Sequence, residues 1–208
     1  DKLVKTFKIK SSTISISSDV FRNLSQLTEI EIPDKIQEIK ANSFSGCVNL
    51  SKITIPDNVK VIGEGAFADC HNLEKVYIPK SVINIENYAF SGCENLKNII
   101  IDSKNTVYDS RNNCNAIIET SSNELIIGCF NSTIPEGIEK IGSSAFSGCS
   151  KLNTITIPAS VTNIYSEAFK GCTDLKEIKI EDSPKILSLS YNSYNTNDIG
   201  KCLFYDCP

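Results

Sequence analysis

A 23-residue sequence unit recurs along nearly the whole chain and constrains its fold more than any other feature. Residues 50–72 and 73–95 both read L-x-x-[IV]-x-I-P-x-x-V-x-x-I-x-x-x-A-F-x-x-C-x-N. About eight copies follow one another, beginning near residues 4, 27, 50, 73, 96, 129, 152 and 175. A unit this short cannot bury its own apolar face, so stacked copies must share one continuous core. The repeat therefore predicts a solenoid.

Each part of the unit has a structural interpretation. Alternating apolar residues before the Ile-Pro step predict a short strand with one buried face, and the proline ends it. Stacking predicts parallel strands near residues 8, 31, 54, 77, 100, 133, 156 and 179. The segment around Ala66-Phe67 is too short for a long helix and predicts a single helical or 3₁₀ turn. We thus expect an α/β repeat fold, with a parallel concave sheet and short helical or 3₁₀ convex segments.

Aromatic and glycine positions also repeat. Seven of the nine phenylalanines occupy one position and predict a buried ladder: Phe21, Phe44, Phe67, Phe90, Phe146, Phe169 and Phe204. The residue before the repeat cysteine is predicted to have a positive φ, which glycine adopts freely and aspartate tolerates. This position holds Gly46, Gly92, Gly148 and Gly171, or Asp69 and Asp206.

Two insertions, near 102–133 and 181–203, interrupt the period. Segments 116–120 and 124–128 of the first predict a β-hairpin, which is either a recognition element or, as we favour, a structural spacer. The second predicts a surface loop that carries Tyr191 and Tyr194. We expect one domain, 1–208, whose last repeat is truncated in a fragment of a longer protein, since the chain starts at Asp1 and stops after Cys207-Pro208.

The cysteines follow the repeat rather than a metal motif. Five of the nine share one position: Cys47, Cys70, Cys93, Cys149 and Cys172. Adjacent CxxC pairs would predict zinc, whereas one cysteine per 23-residue copy does not. An apolar layer favours free, buried thiols over disulfides, because each copy has two equivalent neighbours. Whether Cys114 and Cys129 form a bridge stays open.

Composition and motifs exclude several functions. The net charge of −4 disfavours a nucleic-acid binder, and no run of 18 apolar residues predicts a membrane span. His71 is the only histidine, and no phosphate-binding loop, G-x-S-x-G or H-E-x-x-H is present. We therefore expect neither an enzyme nor a bound cofactor or metal.

The outward side chains of the predicted sheet are the candidate ligand-binding residues. They lie beside the strand isoleucines of the central copies: Lys52, Thr54, Lys75, Tyr77, Asn98 and Ile100. An exposed aromatic residue next to an exposed β-branched residue is typical of a surface that anchors a partner. The alternative is a solvated sheet face that binds nothing, since most surface positions contribute little to binding.

The unit resembles the BspA-like leucine-rich repeats of bacterial surface antigens. The resemblance rests on Ile55-Pro56, Val59, Ile62, Gly63, Ala66-Phe67 and Cys70, and on their recurrence over nearly all 208 residues. It is weakest where Lys10, Asp102 and Glu181 replace the proline. It implies a leucine-rich-repeat solenoid that is extracellular or at the cell surface. The implied partner is a protein, either of the host extracellular matrix or of another bacterial surface. A structural spacer and a carbohydrate-binding module are the alternatives.

Overall fold

The structure is a computed structural model, and it describes residues 4–182, 187–189 and 207. Short strands dominate this part of the chain: β1 (Thr6–Lys8), β2 (Glu29–Glu31), β3 (Glu38–Ile39), β4 (Lys52–Ile53), β5 (Val61–Ile62), β6 (Lys75–Ile78), β7 (Asn84–Ile85), β8 (Asn98–Ile101), β9 (Tyr108–Asp109), β10 (Ile117–Glu119), β11 (Glu124–Ile127), β12 (Lys140–Ile141), β13 (Thr154–Ile157), β14 (Asn163–Ile164), β15 (Glu177–Ile180) and β16 (Ser188–Leu189). Successive copies of the unit stack into a β-solenoid of about eight turns.

The Ile-Pro segments form a first strand row of parallel strands. It consists of three sets, β1-β2-β4, β6-β8 and β13-β15, and within each set the strands pair equivalent residues of successive copies. The inward residue is buried in β2, β6 and β8, at Ile30, Val76 and Ile99, while its neighbours are exposed. This alternation is what a strand with one buried face requires. The predicted strands near 8, 31, 54, 77, 100, 156 and 179 are confirmed.

The strand predicted near residue 133 is absent, and that prediction was wrong. Residues 131–135 have no strand pairing, although Ile134 is buried. The Thr133 N–H donates instead to the carbonyl of Cys114, in the preceding insertion, at 3.0 Å. The insertion therefore accepts a backbone hydrogen bond that a neighbouring strand would otherwise have accepted.

The V-x-x-I part of most units forms a second strand row that the sequence did not predict. It comprises the parallel set β3-β5-β7 and the set β16-β14-β12-β11-β10-β9. Its repeat members have only two residues, one of them the apolar residue that covers the core, such as Ile39 or Ile62. The solenoid thus has a core between two strand rows.

The expected helical or 3₁₀ convex segments are absent from the repeats that the structure describes, so α/β was the wrong class for them. Each Ala-Phe segment is a series of turns between two positive-φ residues: Asn42 and Gly46, Gly65 and Asp69, Tyr88 and Gly92, Ser144 and Gly148, Glu167 and Gly171. Alternate N–H groups donate to the next copy, as from Phe44 to the Ala66 carbonyl at 2.8 Å. These bonds between copies replace those within a helix. The one 3₁₀ turn among the described residues is Arg111–Asn113, in the insertion.

The positive φ predicted before the repeat cysteine is confirmed at the four glycines and Asp69, with values from 57° to 74°. Asp206 lies outside the described residues.

A stacked phenylalanine ladder runs through the core, as predicted. Phe21, Phe44, Phe67 and Phe90 stack at centroid distances of 5.2–5.3 Å, with interplanar angles of 12° or less. Phe146 and Phe169 continue the stack beyond the insertion at 5.2 Å. Phe204 lies outside the described residues. Because all six described rings are buried, the ladder is a core layer.

The predicted hairpin in the first insertion is confirmed. β10 and β11 pair antiparallel, and β11 then pairs parallel with β12 of the next copy. Ile117, Ile118 and Leu125 are fully buried. The hairpin therefore packs into the core, as the spacer interpretation requires. Of the second insertion, β16 pairs parallel with β14, whereas Tyr191 and Tyr194 lie outside the described residues.

Candidate functional site

All six predicted binding residues are exposed on the outward face of the first strand row. Two pairs are brought into direct register between β6 and β8, namely Lys75 with Asn98 and Tyr77 with Ile100. Tyr77 and Ile100 are each 40% exposed, although they are large apolar side chains. Lys52 lies on β4, where its ladder partner is Glu29 of β2, and Thr54 directly follows β4. We call the outward side chains of β4, β6 and β8, with Thr54, the row face.

The Tyr77 ring is held in place by a residue that the sequence did not single out for binding. Its hydroxyl donates a 2.7 Å hydrogen bond to Oδ2 of Asp102, one of the residues that replace the repeat proline. This bond raises the pKa of Tyr77. The Lys104 backbone N–H, followed by the Tyr77 hydroxyl, lowers the pKa of Asp102. The sequence signal for this contact was the absence of the repeat proline, because Asp102 replaces it and lies beside the exposed Tyr77.

Charges around the row face have both signs. Lys97 pairs with Glu74 across neighbouring copies at 2.7 Å, with both side chains about half exposed. Such a pair in water contributes little to stability. Lys75 and Lys52 are exposed beside it, and Glu29 is exposed at the end toward β2. The face therefore combines an apolar centre, Tyr77 and Ile100, with a mixed polar rim.

The consensus asparagine two residues after Cys47, Cys70 and Cys93 forms a ladder of amides that the sequence analysis did not assign. Asn49 donates to the Ser25 carbonyl at 2.7 Å, Asn72 to Asn49 at 3.0 Å, and Asn95 to Asn72 at 3.3 Å. Lys151 donates to Asn95 and extends the ladder across the insertion. The sequence signal for this amide ladder was the asparagine that ends the C-x-N motif. These amides tie the copies together.

The repeat cysteines are buried, as predicted, and each thiol has a partner that the sequence did not reveal. The Sγ of Cys47, Cys70, Cys93 and Cys172 donates to the carbonyl of a ladder phenylalanine 26 residues earlier, at 3.0–3.3 Å. Cys149 makes a longer contact, 3.8 Å, with the Gly128 carbonyl. Because a carbonyl oxygen can only accept, these contacts fit the protonated thiol form. All eight cysteines among the described residues are free, including Cys114 and Cys129.

Burial raises the pKa of these thiols. That of Cys47 rises to about 11, and that of Cys172 to about 12. Burial, and then the neighbouring Cys93 and Cys47, raises the pKa of Cys70 well above its ordinary value. Removal from water disfavours the thiolate, which is the reactive form. We therefore expect the repeat thiols to be unreactive in the folded protein.

Thiol labelling tests this assignment. At pH 8 the five repeat cysteines of the native protein should resist a maleimide reagent, because burial blocks access and suppresses the thiolate. Unfolding in denaturant without reductant should release all five at once. Incomplete labelling until reductant is added, with mass spectrometry placing a bridge between two of them, would contradict the assignment.

Within the described residues, no group of three or more His, Cys, Asp or Glu side chains is placed to hold a metal ion. No helix in the same part of the chain is long and apolar enough to span a membrane.

Comparison with known proteins identifies the repeat. The family model of the BspA type leucine rich repeat region matches in six copies, over residues 1–118 and 118–208. The chain belongs to the BspA-type leucine-rich-repeat family. The resemblance inferred from Ile55-Pro56 and its equivalents is thus confirmed. The turns, strand rows and buried repeat cysteines described above belong to a chain of BspA-type repeats. No curated protein sequence matches the chain.

Solved structures share the fold of this BspA-type chain. A leucine-rich repeat protein from Bacteroides ovatus is 28% identical over 88% of the chain and 38% of that protein, with a TM-score of 0.55. A leucine rich cell surface protein from Faecalibacterium prausnitzii is 24% identical over 90% of the chain and 63% of its own length, with a TM-score of 0.56. The pneumococcal vaccine antigen PcpA is 20% identical over 84% and 50%, with a TM-score of 0.66. The chain therefore spans less than two thirds of each.

Proposed function

We propose that this chain is an extracellular or cell-surface scaffold, a single domain of about eight repeats that binds a protein through its row face. The family supports a role in protein interaction in general. Similar folds occur in proteins described as a leucine rich cell surface protein and a vaccine antigen, which supports a surface location. The partner class is a host extracellular-matrix protein or another bacterial surface protein.

The exposed pair Tyr77 and Ile100 carries the proposal. The two side chains are in register on neighbouring strands, and the bond to Asp102 limits the motion of the tyrosine ring. A rigid, exposed aromatic residue loses little entropy when a partner covers it, and such residues dominate binding energies. Lys75 and Asn98, paired beside them, supply hydrogen-bond donors at the rim.

The same geometry argues against catalysis as the role of the domain. The most nucleophilic side chains, the repeat thiols, are buried with raised pKa values and donate to backbone carbonyls. The six row-face residues include neither a carboxylate nor a histidine. We therefore propose that the row face binds a partner and does not catalyse a reaction.

A binding screen followed by paired variants tests the proposal. The purified domain is measured against matrix proteins, bacterial surface proteins and glycans by surface plasmon resonance. For a protein that binds, Tyr77→Ala should weaken affinity by about 2 kcal/mol, near 30-fold, as for an interface hot spot. Adding Ile100→Ala should weaken it further.

Ile83→Ala is the matched control. Ile83 is 57% exposed but lies outside the first strand row, directly before β7 of the second row. This variant should bind as the unchanged protein does. Binding to no protein in the screen would favour the spacer, and binding to glycans alone would favour the carbohydrate module. A partner that is equally sensitive to Ile83→Ala and to Tyr77→Ala would contradict the assignment of the face.

A further inference from the structure

The first strand row has an open edge beside the row face. β8 pairs with β6 on one side, and no strand of the described residues pairs with its other side. The next strand of the row, β13, belongs to a separate pair with β15. The copy that would have supplied the missing neighbour, around residues 131–135, has no strand. The row is thus interrupted next to Ile100.

The backbone groups of two residues point toward this open side. On the β6 side, the Asn98 N–H donates to the carbonyl of Glu74, the residue before β6, at 3.2 Å. The Asp102 N–H donates to the carbonyl of Ile78, the last residue of β6, at 2.9 Å. Because the N–H and C=O directions alternate along a strand, Ile99 and Ile101 present theirs to the opposite side. The Ile99 N–H indeed bonds there, outside the sheet. The backbone groups on an open strand edge are a template for another strand.

Asn115 imitates one residue of the missing strand. Its Oδ1 accepts the Ile99 N–H at 2.7 Å, and its Nδ2 donates to the Lys97 carbonyl at 2.7 Å. A residue of a parallel neighbour makes the same two bonds, to positions on either side of its partner. The side-chain amide therefore occupies one peptide position of the edge. The next position, opposite Ile100 and facing the Ile99 carbonyl and the Ile101 N–H, is occupied by no strand of the described residues.

A cleft of about 490 Å³ runs along this edge. One wall is β8, and the other includes Asn113, Asn115 and Asn131. Lys97 is the only charged residue of the lining. Uncharged amides both donate and accept hydrogen bonds, as a peptide backbone requires. The lining fits a neutral extended chain better than a charged ligand.

We propose that the open edge of β8 binds an extended peptide segment of the partner protein, which adds to the sheet as a parallel strand with a residue opposite Ile100 that accepts the Ile101 N–H. This rests on the proposed function and names the part of the partner that is bound. The bonds of Asn115 support the parallel direction, and the pairing of β13 with β15 shows that alternating Thr and Ile residues suit such a ladder here. Strand addition obtains its affinity from main-chain bonds and its specificity from alternate side chains.

Amide exchange measured by NMR tests the edge with a defined probe. The probe is a synthetic peptide with the sequence of residues 152–160, LNTITIPAS, which contains β13. With the peptide at ten times its Kd, exchange of the Ile101 amide should slow about tenfold, since only the unbound fraction exchanges. The control peptide has the same side chains, but the backbone nitrogens of its β8-facing residues are methylated. It should leave Ile101 unprotected.

Two results would overturn the edge proposal. One is an Ile101 amide that exchanges at the same rate at peptide concentrations up to about 1 mM, where weak binding is still detectable. The other is equal protection by the methylated peptide, which would show that main-chain bonds are not involved. Either result leaves the row face untouched, because that proposal is tested by Tyr77→Ala on a whole protein partner. If the peptide protects Ile101 but the affinity of the protein partner is insensitive to Tyr77→Ala, strand addition at β8 is supported and binding through the row face is rejected.

Discussion

Phe67→Ala is expected to lower the free energy of unfolding by about 3–5 kcal/mol, the range for truncation of a buried aromatic residue. Phe67 is fully buried and stacks on both sides, 5.3 Å from Phe44 and 5.2 Å from Phe90. Removing its ring leaves a cavity and deprives both neighbours of a stacking partner. Phe90→Ala should fall in the same range, although Phe90 stacks on a single described neighbour.

Denaturant unfolding followed by far-ultraviolet circular dichroism measures this loss, since the chain has no tryptophan. Phe7→Ala is the matched control. Phe7 is 42% exposed and makes only an edge contact with Phe21, 5.1 Å between centroids, so its loss should stay below about 1.5 kcal/mol. A loss under about 1 kcal/mol for Phe67→Ala would contradict a core role for the ladder.

Gly148→Ala is expected to be about as damaging, at roughly 2–5 kcal/mol, because two costs add. Gly148 has a φ of 74°, which costs an L-residue about 1–2 kcal/mol. A Cβ there would also lie 2.5 Å from the Cα and N of Gly92, and backbone atoms cannot move aside as a side chain can. Overpacking of this kind costs about 1–3 kcal/mol. Gly92 and Gly148 lie in the two copies that meet across the insertion.

Two glycines with the same conformational strain separate these costs. Gly137 has a φ of 87° and nothing within 4 Å of an added Cβ, so Gly137→Ala should show only the strain, about 1–2 kcal/mol. Gly171→Ala, whose Cβ would make an ordinary 3.6 Å contact with Gly148, should behave alike. Equal losses at Gly137 and Gly148 in the same denaturant measurement would disprove the close approach of Gly92 to Gly148.

Features that depend on one copy of the repeat could be predicted from the sequence. The first-row strands, the phenylalanine ladder, the positive φ at Gly46 and its equivalents, and the hairpin all follow from local patterns. The exposure of Tyr77 and Ile100 follows from the same alternation. Local periodicity decides these features because every copy repeats the same constraint.

Features that depend on contacts between copies could not be predicted in this way. Val61 and Ile62 do not alternate with polar residues, so their strand is defined only by its pairing with β3 and β7. The convex turns differ from helix because N–H groups such as that of Phe44 bond to the next copy. The missing strand near residue 133 and the bonds of Asn115 to β8 both depend on where the insertion packs. Sequence spacing does not determine that placement.

Hydroxyl-radical footprinting of the complex with a protein identified in the screen tests the central claim most directly. Tyr77 and Tyr88 are 40% and 39% exposed, so in the free domain their rings are accessible to a similar degree. Tyr77 lies on the row face, whereas Tyr88 lies in a convex turn and donates a hydrogen bond to Glu167. Binding through the row face should reduce oxidation of Tyr77 and leave that of Tyr88 unchanged. Protection of Tyr88 with unchanged oxidation of Tyr77 would contradict the account.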